Sequence, residues 1–484
     1  MDDGALIRRI PRTVQMCTDA TQGPCVITAT TSGQISIGKW ANHALAPYCS
    51  GSIRYEHEDA SVSALAVLPD KPVVAMGCQG WEEFGGGKSK PCMVLLDLSR
   101  ALPAVGQNTT AQFTIGWHST ASPHLLHGPS GPLGWFRLGQ VFTPTSRSVA
   151  KPIGVALAIG LYDAQRCEAE AVSWMTAVPR APGLVLAYSR PLPHSARMQH
   201  VVCTLAGPLL DVFIAGKWAT LADAHSWMKA RADAPSRRLL HLRVCHDKHS
   251  SRVHTINHVA WDLERQGSVL LSAGADGNLI QYNLRSNAVS WCWPLARGNA
   301  VPAGLLSPLS MPPLGGLGMT RRDKANCQIV STQSHPQHAN LQLLTVPTGN
   351  VRRMYLVDVR ARVLVAALHH LQQGQYTTMT SSVHAHWSPC GRFVVSGTED
   401  SAVHVWRVGE LVAAWASAPR EVRLAQSTVE EASFAPTATL SVQAVHVPSK
   451  RVVWCDFVPG VVAGELQLMT AGYDKRIGRH VLVQ

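Results

Sequence analysis

Few residues of this chain have the types and spacing that chemistry demands. The run Glu82-Glu-Phe-Gly-Gly-Gly-Lys88-Ser89 ends as a phosphate-binding loop ends. Such a loop also needs a glycine five residues before its last one, so that backbone N–H groups can wrap the phosphates. Glu82 stands at that place, and the following Cys92-Met-Val-Leu-Leu has a strand pattern where the loop needs a helix. A strand–strand loop is the better reading. Histidines come in close pairs, His246 with His249, His335 with His338, and His384 with His386. Zinc needs three or four convergent ligands, and no such cluster is visible. Neither a Gly-x-Ser-x-Gly elbow nor a His-Glu-x-x-His pair occurs. The expectation is a chain without catalytic residues, metal or cofactor.

Charge offers more. The formal net charge is +12, a balance that favours acidic partners. Lys229, Arg231, Arg237, Arg238, Arg243, Lys248 and Arg252 stand against Asp233 and Asp247. Arg321, Arg322, Arg352 and Arg353 form smaller clusters. Candidate partner-binding residues are therefore Arg237, Arg238, Arg243, Arg321, Arg322, Arg352 and Arg353. Aromatic residues that would stack bases are not interleaved with them, so any RNA contact would be to backbone or shape.

The elements that would position these groups are strands. Three stretches share one grammar: Ser272-Ala-Gly-Ala-Asp276 to Tyr282, Ser396-Gly-Thr-Glu-Asp400 to Trp406, and Thr470-Ala-Gly-Tyr-Asp474 to His480. In each a hydroxyl stands four before an aspartate, and a ring six after it. An apolar run precedes each, and alternating residues fill the gap between Asp and ring. That is two short strands joined by a tight Asp turn. Repetition of a four-stranded unit predicts an all-β propeller. The 484 residues and 46% apolar content allow one large core.

Grouped in fours, the strands predict seven blades: roughly Val14–Glu56, Val62–Gly116, Ala171 to near Cys245, Arg252–Pro294, Ala300–His370, Val383–Trp415 and Val452–Val483. The last has three strands, and Ala5-Leu-Ile-Arg-Arg-Ile10 is expected to complete it and close the ring. Seven blades of about 40–45 residues need roughly 300. The surplus is assigned to insertions at about 117–170, 217–240, 296–325 and 416–448, with an eighth blade in 117–170 as the alternative. Thr220–Ala232 reads as a short loop helix.

These residues resemble the WD40-repeat family. The resemblance is clearest over 250–295, 380–418 and 446–484, within one propeller spanning 1–484. It implies structural tetrads of His, Ser/Thr, Asp and ring: His249, Ser272, Asp276 and Tyr282; Ser396, Asp400 and Trp406, with His369 or His370 first; and His446, Thr470 and Asp474, with His480 in the ring position. A buried Asp needs several donors, and these supply them. Tyr282-Asn-Leu-Arg285 and Val357-Asp-Val-Arg360 look like degenerate copies of the Trp-Asp-x-Arg box carried by substrate receptors of cullin–RING ubiquitin ligases. That likeness adds Arg285 and Arg360 to the candidate partner-binding residues.

The 12 cysteines are scattered without close pairs, as suits a reducing compartment. The Met1-Asp-Asp start has no apolar segment behind it, and the run near Val155–Leu161 is too short to span a bilayer. The expected protein is intracellular, cytoplasmic or nuclear, without membrane insertion and monomeric by itself. Its expected function is non-enzymatic: a WD40 scaffold for protein–protein contacts in a multi-subunit complex, with an acidic or RNA-containing partner. The alternatives are a cullin–RING substrate receptor and an RNA-associated propeller of a ribonucleoprotein.

Overall fold

The computed structural model describes residues 11–19, 23–30, 34–41, 44–55, 58–59, 61–68, 73–79, 93–97, 111–117, 124–128, 131–142, 152–161, 171–177, 183–191 and 198–206. It further describes 244–246, 256–262, 268–274, 277–286, 288–294, 328–348, 351–361, 363–369, 384–397, 402–418, 433–434, 438–441, 452–458, 466–472 and 477–482. The chain divides into two compact units, Met1–Arg243 and Val244–Gln484.

The first unit begins with a four-stranded meander: β1 (Pro11–Asp19), β2 (Gly23–Thr30), β3 (Gln34–Ala41) and β4 (Ala44–Tyr55). The two-residue β5 (Glu58–Asp59) folds back on β4. Next come β6 (Ser61–Val67), β7 (Val73–Gln79) and β8 (Met93–Asp97), paired in order. Then follow β9 (Ala111–Trp117), β10 (His124–Gly128), β11 (Gly131–Phe142) and β12 (Pro152–Leu161). The unit ends with β13 (Ala171–Ala177), β14 (Gly183–Pro191) and β15 (Met198–Ala206).

These strands do not sort into separate blades. β9 lies parallel to β4 and antiparallel to β11, β11 pairs β12, and β12 pairs β8. One backbone pairing, Ala171 with Gln79, joins β13 to β7. The segment expected as an insertion at 117–170 thus holds three strands that bridge the meanders. Its long β11 and β12 cover the open edges of β8 and β9, and an exposed ladder edge is what a sheet must avoid.

The second unit opens with β16 (Val244–His246) and a four-stranded sheet of β17 (Ile256–Trp261), β18 (Val269–Gly274), β19 (Asn278–Asn283) and β20 (Ala288–Pro294). β21 (Ser331–Ser334), β22 (Leu341–Thr348), β23 (Val351–Asp358) and β24 (Val363–His369) form the next. The third holds β25 (Ala385–Trp387), β26 (Phe393–Gly397) and β27 (Ala402–Arg407).

The grouping by sequence places a fourth strand directly after β27, but residues Gly409–Ser417 form a helix, α1. Its Leu411, Val412 and Trp415 have helical spacing and pack on the core of this sheet. Residues further on supply two strands. β28 (Ser433–Phe434) adds parallel to β24, and β29 (Ala438–Ser441) becomes the fourth strand beside β27. Last comes a three-stranded sheet of β30 (Val452–Phe457), β31 (Leu466–Gly472) and β32 (Ile477–Leu482).

The strand pairings of the described residues therefore make five groups, four in the second unit and one continuous ladder in the first, not seven blades. The closing strand expected at 5–10 and the helix expected at 220–232 lie outside the described residues.

Both faces of the middle sheets of the second unit are buried, which is why their strands read as continuous apolar runs. Successive side chains of a strand point to opposite faces. Leu344, Tyr355 and Val357 pack with Leu271, Leu279, Trp291 and Trp293 of the preceding sheet. Leu343, Met354 and Leu356 pack the other way, with Trp387, Val394 and Trp406. Val395 turns from β26 to Val452, Cys455 and Phe457 of the next sheet.

Candidate functional site

In Val244–Gln484 the first strand of each sheet lies against the first strand of the next, in the order β17, β21, β25, β30. Their alternation points polar side chains across the gaps between sheets. Asn257 Nδ2 donates to the Ile329 carbonyl at 2.8 Å, and Ser334 Oγ to the Trp261 carbonyl at 3.2 Å. Gln333 spans the next gap, with its Nε2 2.8 Å from His386 Nδ1 and its Oε1 accepting from the Trp387 N–H at 3.4 Å. His386 Nδ1 in turn lies 3.3 Å from Asp456 Oδ2.

The same ring nitrogen thus faces an amide donor and a carboxylate. Donation from Gln333 needs an unprotonated Nδ1, which puts the proton on Nε2. Pairing with Asp456 needs Nδ1–H. His386 Nε2 is buried without a hydrogen-bond partner. His258 and His384 stand beside this seam, with ring centroids 5.6 Å apart, and His384 is 6.5 Å from His386. Burial, with His384 and His386 beside it, holds the His258 imidazole well below its ordinary titration range.

The other histidine pair has a different fate. His335 is buried and stacks on His338 at 4.9 Å, with Trp387 edge-on at 4.7 Å. Its Nε2 donates to the Gly391 carbonyl at 3.0 Å, and its Nδ1 accepts the Gln337 N–H at 3.1 Å. Both nitrogens are engaged, so the ring is a neutral cross-brace. Burial pulls its pKa down to about 4; the Gly391 carbonyl opposes that and His338 adds to it. Among the described residues, no group of three or more His, Cys, Asp or Glu is placed to hold a metal ion.

The hydroxyl–ring repeats take equivalent places in their sheets. Ser272 pairs Ile280 with Tyr282 two residues on; Ser396 pairs His404 with Trp406 two on; Thr470 pairs Gly478 with His480 two on. Hydroxyl and ring therefore share a face on a cross-strand diagonal. In the last sheet they meet directly, Thr470 Oγ1 standing 3.0 Å from His480 Nε2. Ser272, Tyr282, Ser396, Trp406 and Thr470 are all buried. His249, Asp276, Asp400, His446 and Asp474 lie outside the described residues.

Strand ends carry the exposed charge. Asn283 Oδ1 accepts the N–H groups of Arg285 at 2.9 Å and Ser286 at 3.3 Å. Asp358 Oδ1 accepts those of Arg360 at 2.9 Å and Ala361 at 2.8 Å. The two turns are the same Asx motif, and they close corresponding strands, since Asn283 pairs Val269 and Asp358 pairs Leu341. Arg285 and Arg360 consequently leave neighbouring sheets at matching positions, both exposed. In the third sheet Arg407, opposite Phe393, takes the place of Asn283 and is exposed, as is Arg392.

Arg352 and Arg353 begin the same strand that Asp358 ends. They sit at the far end of β23, about 17–20 Å along an extended strand, and do not join this group. Arg237, Arg238, Arg243, Arg321 and Arg322 lie outside the described residues. Sequence reading missed Gln333, Asp456, Asn257 and His258. The alternation of His384 and His386 was the one visible signal of the seam.

No helix among the described residues is long and apolar enough to cross a membrane. Residues 370–407 match the WD40 family, described as WD domain, G-beta repeat. No curated protein matches the chain. Among solved structures it is similar to the Cps50 (Swd1) β-propeller domain of Myceliophteria thermophila, at 10% identity over 98% of this chain and 97% of that one, with a TM-score of 0.46.

Proposed function

We propose that this chain, a divergent WD40-repeat β-propeller, is a non-enzymatic scaffold that holds other proteins in a multi-subunit complex within the cell. One observation carries the reading. Among the described residues of the second unit Gln333, His335, His386, Thr470 and His480 are engaged between strands and sheets, whereas Arg285 and Arg360 leave matching turns exposed. Function in such folds is grafted on surfaces, and a guanidinium is built to grip carboxylates in pairs.

The test is affinity purification with mass spectrometry of the intact chain beside Arg285→Glu/Arg360→Glu and Arg237→Glu/Arg238→Glu/Arg243→Glu variants. Loss of a defined set of proteins from either variant supports a scaffold. An unchanged set from both, or recovery of crosslinked RNA in place of proteins, sinks it.

The matching Asx turns favour one narrower reading, a substrate receptor that meets a cullin–RING ligase adaptor through Arg285 and Arg360. Adaptor binding that survives substitution of both arginines by alanine would retire it.

A further inference from the structure

One short stretch of chain covers the edges of two sheets. β28 adds parallel to β24, pairing Ser433 with Ala367 and Phe434 with Leu368. Residues 435–437 lead directly into β29, which runs antiparallel to β27 and pairs Ala438 with Val405, Thr439 with His404, Leu440 with Val403 and Ser441 with Ala402. The connection allows at most about 14 Å between Phe434 and Ala438. A piece that lets go while the other holds stays within reach of its edge and pairs again. Lasting release therefore takes both pieces.

The connections favour such release. Residues 284–287 join β20 to β19, and 359–362 join β24 to β23, so those outer strands return through tight hairpins. Between β27 and β29 stand 408–437, α1 among them. Closing a connection of that length is less favourable than closing a hairpin by a factor on the order of ten. What the stretch covers is apolar. Ala367, Leu368, Ala402, Val403 and Val405 are buried, and a bare ladder edge among such residues is a template for another strand.

We propose that 433–441 is a releasable strap: β28 and β29 leave β24 and β27 in one step while the sheets beneath stay folded, and the uncovered edge of β27 accepts an extended segment of another protein. The strap's own register shows what fits there, an antiparallel strand opposite 402–405. Opening of this kind belongs to segments whose local stability lies below that of the whole fold. The acceptor edge does not involve Arg285 or Arg360, so it can fail while the scaffold reading stands.

The test is native-state hydrogen exchange of the full chain, read by mass spectrometry. Amides of 433–434 and 438–441 should share one protection factor, about tenfold or more below that of 352–357 in the middle of their sheet. Successive N–H groups of a strand point to opposite sides, so Thr439→Pro/Leu440→Pro must delete a bond to β27. It should speed exchange at 433–434, in a strand it does not touch, by about tenfold or more. A fluorescent peptide of residues 432–442 should bind that variant. It should not bind Val403→Cys/Leu440→Cys after oxidation, since facing Cα atoms of an antiparallel pair lie within disulfide reach and the bridge holds the strap down. Strap amides as protected as 352–357 would overturn the proposal. So would exchange at 433–434 that ignores the prolines, or a peptide that fails to bind the opened chain. Wild-type exchange decides the release by itself if the proline variant does not fold.

Discussion

Alanine at Gly397 should separate two sheets that no side-chain rotation can keep together. A Cβ built there lies 2.3 Å from the Val452 carbonyl oxygen and 3.1 Å from both the Val452 carbonyl carbon and Cγ1. The near neighbour is backbone, fixed by the pairing of Val452 with Gly472 in the next sheet. Ordinary contact needs a retreat of about 1 Å, and overpacking of this kind costs about 1–3 kcal/mol. The upper end is expected, because the shift also opens the cluster of Val395, Val403, Val405, Cys455 and Leu468.

Gly409 is the control. A Cβ there meets the side chain of exposed Arg392, Cγ at 3.0 Å and Cβ at 3.2 Å, a milder approach than the 2.3 Å to backbone at Gly397. Gly409 also begins α1, where alanine gains about 0.5–1 kcal/mol of helix propensity. Differential scanning calorimetry decides, at about 2–4 °C per kcal/mol for a unit of this size. Gly397→Ala should lower the transition by about 6–12 °C, while Gly409→Ala leaves it unchanged or raises it. Equal effects of the two, or a loss below about 2 °C at Gly397, would refute the close approach as the cause.

Three further outcomes follow from single contacts. His335 is held down to about 4 in the folded chain, so its stability contribution is complete above the unfolded pKa near 6.5 and is lost as pH falls from there toward 4; His335→Gln should remove up to about 1.4 kcal/mol per pH unit of acid sensitivity in urea titrations. Thr470→Val deletes the 3.0 Å contact with His480 and should cost about 1 kcal/mol, read from the urea midpoint. Burial pushes the Cys390 thiol up, but Ser388 and Arg392 outweigh it and the net shift is downward, whereas Cys455 is buried and shifted up; iodoacetamide should label Cys390 in the native protein and spare Cys455 until it unfolds.

Strands were legible in the sequence wherever both signals of a strand were local. The hydroxyl–Asp–ring grammar located β18 with β19, β26 with β27, and β31 with β32, since an apolar run and a tight turn fix such pairs within about fifteen residues. Pairing between distant strands left no such mark. Leu95 of β8 meets Leu157 of β12, and Ala402 of β27 meets Ser441 of β29, because each open edge takes the nearest ladder that covers it. The seven-blade count failed on that point. The seam was half legible. His384 and His386 announced a shared face, but Gln333 gains meaning only when β21 is laid beside β25, and a glutamine in an alternating strand has no signature of its own.

The packing also decides where a partner can bind. Apolar contact is non-directional, so Leu344 packed with Trp293, or Leu356 with Val394, stacks the sheets without fixing their register. The hydrogen bonds of Asn257, Ser334 and Gln333 run between first strands, and their geometry supplies that register. Together the two consume both faces and the first edges of the middle sheets. What such a sheet still offers is its strand ends and outer edge. Asn283 and Asp358 spend their side chains tightening turns at those ends, and the residue that each turn projects is an arginine. Among the described residues of this unit the exposed arginines stand at strand ends or in turns, Arg285 after β19, Arg360 after β23, Arg392 before β26 and Arg407 at the end of β27, away from the faces that hold the fold together.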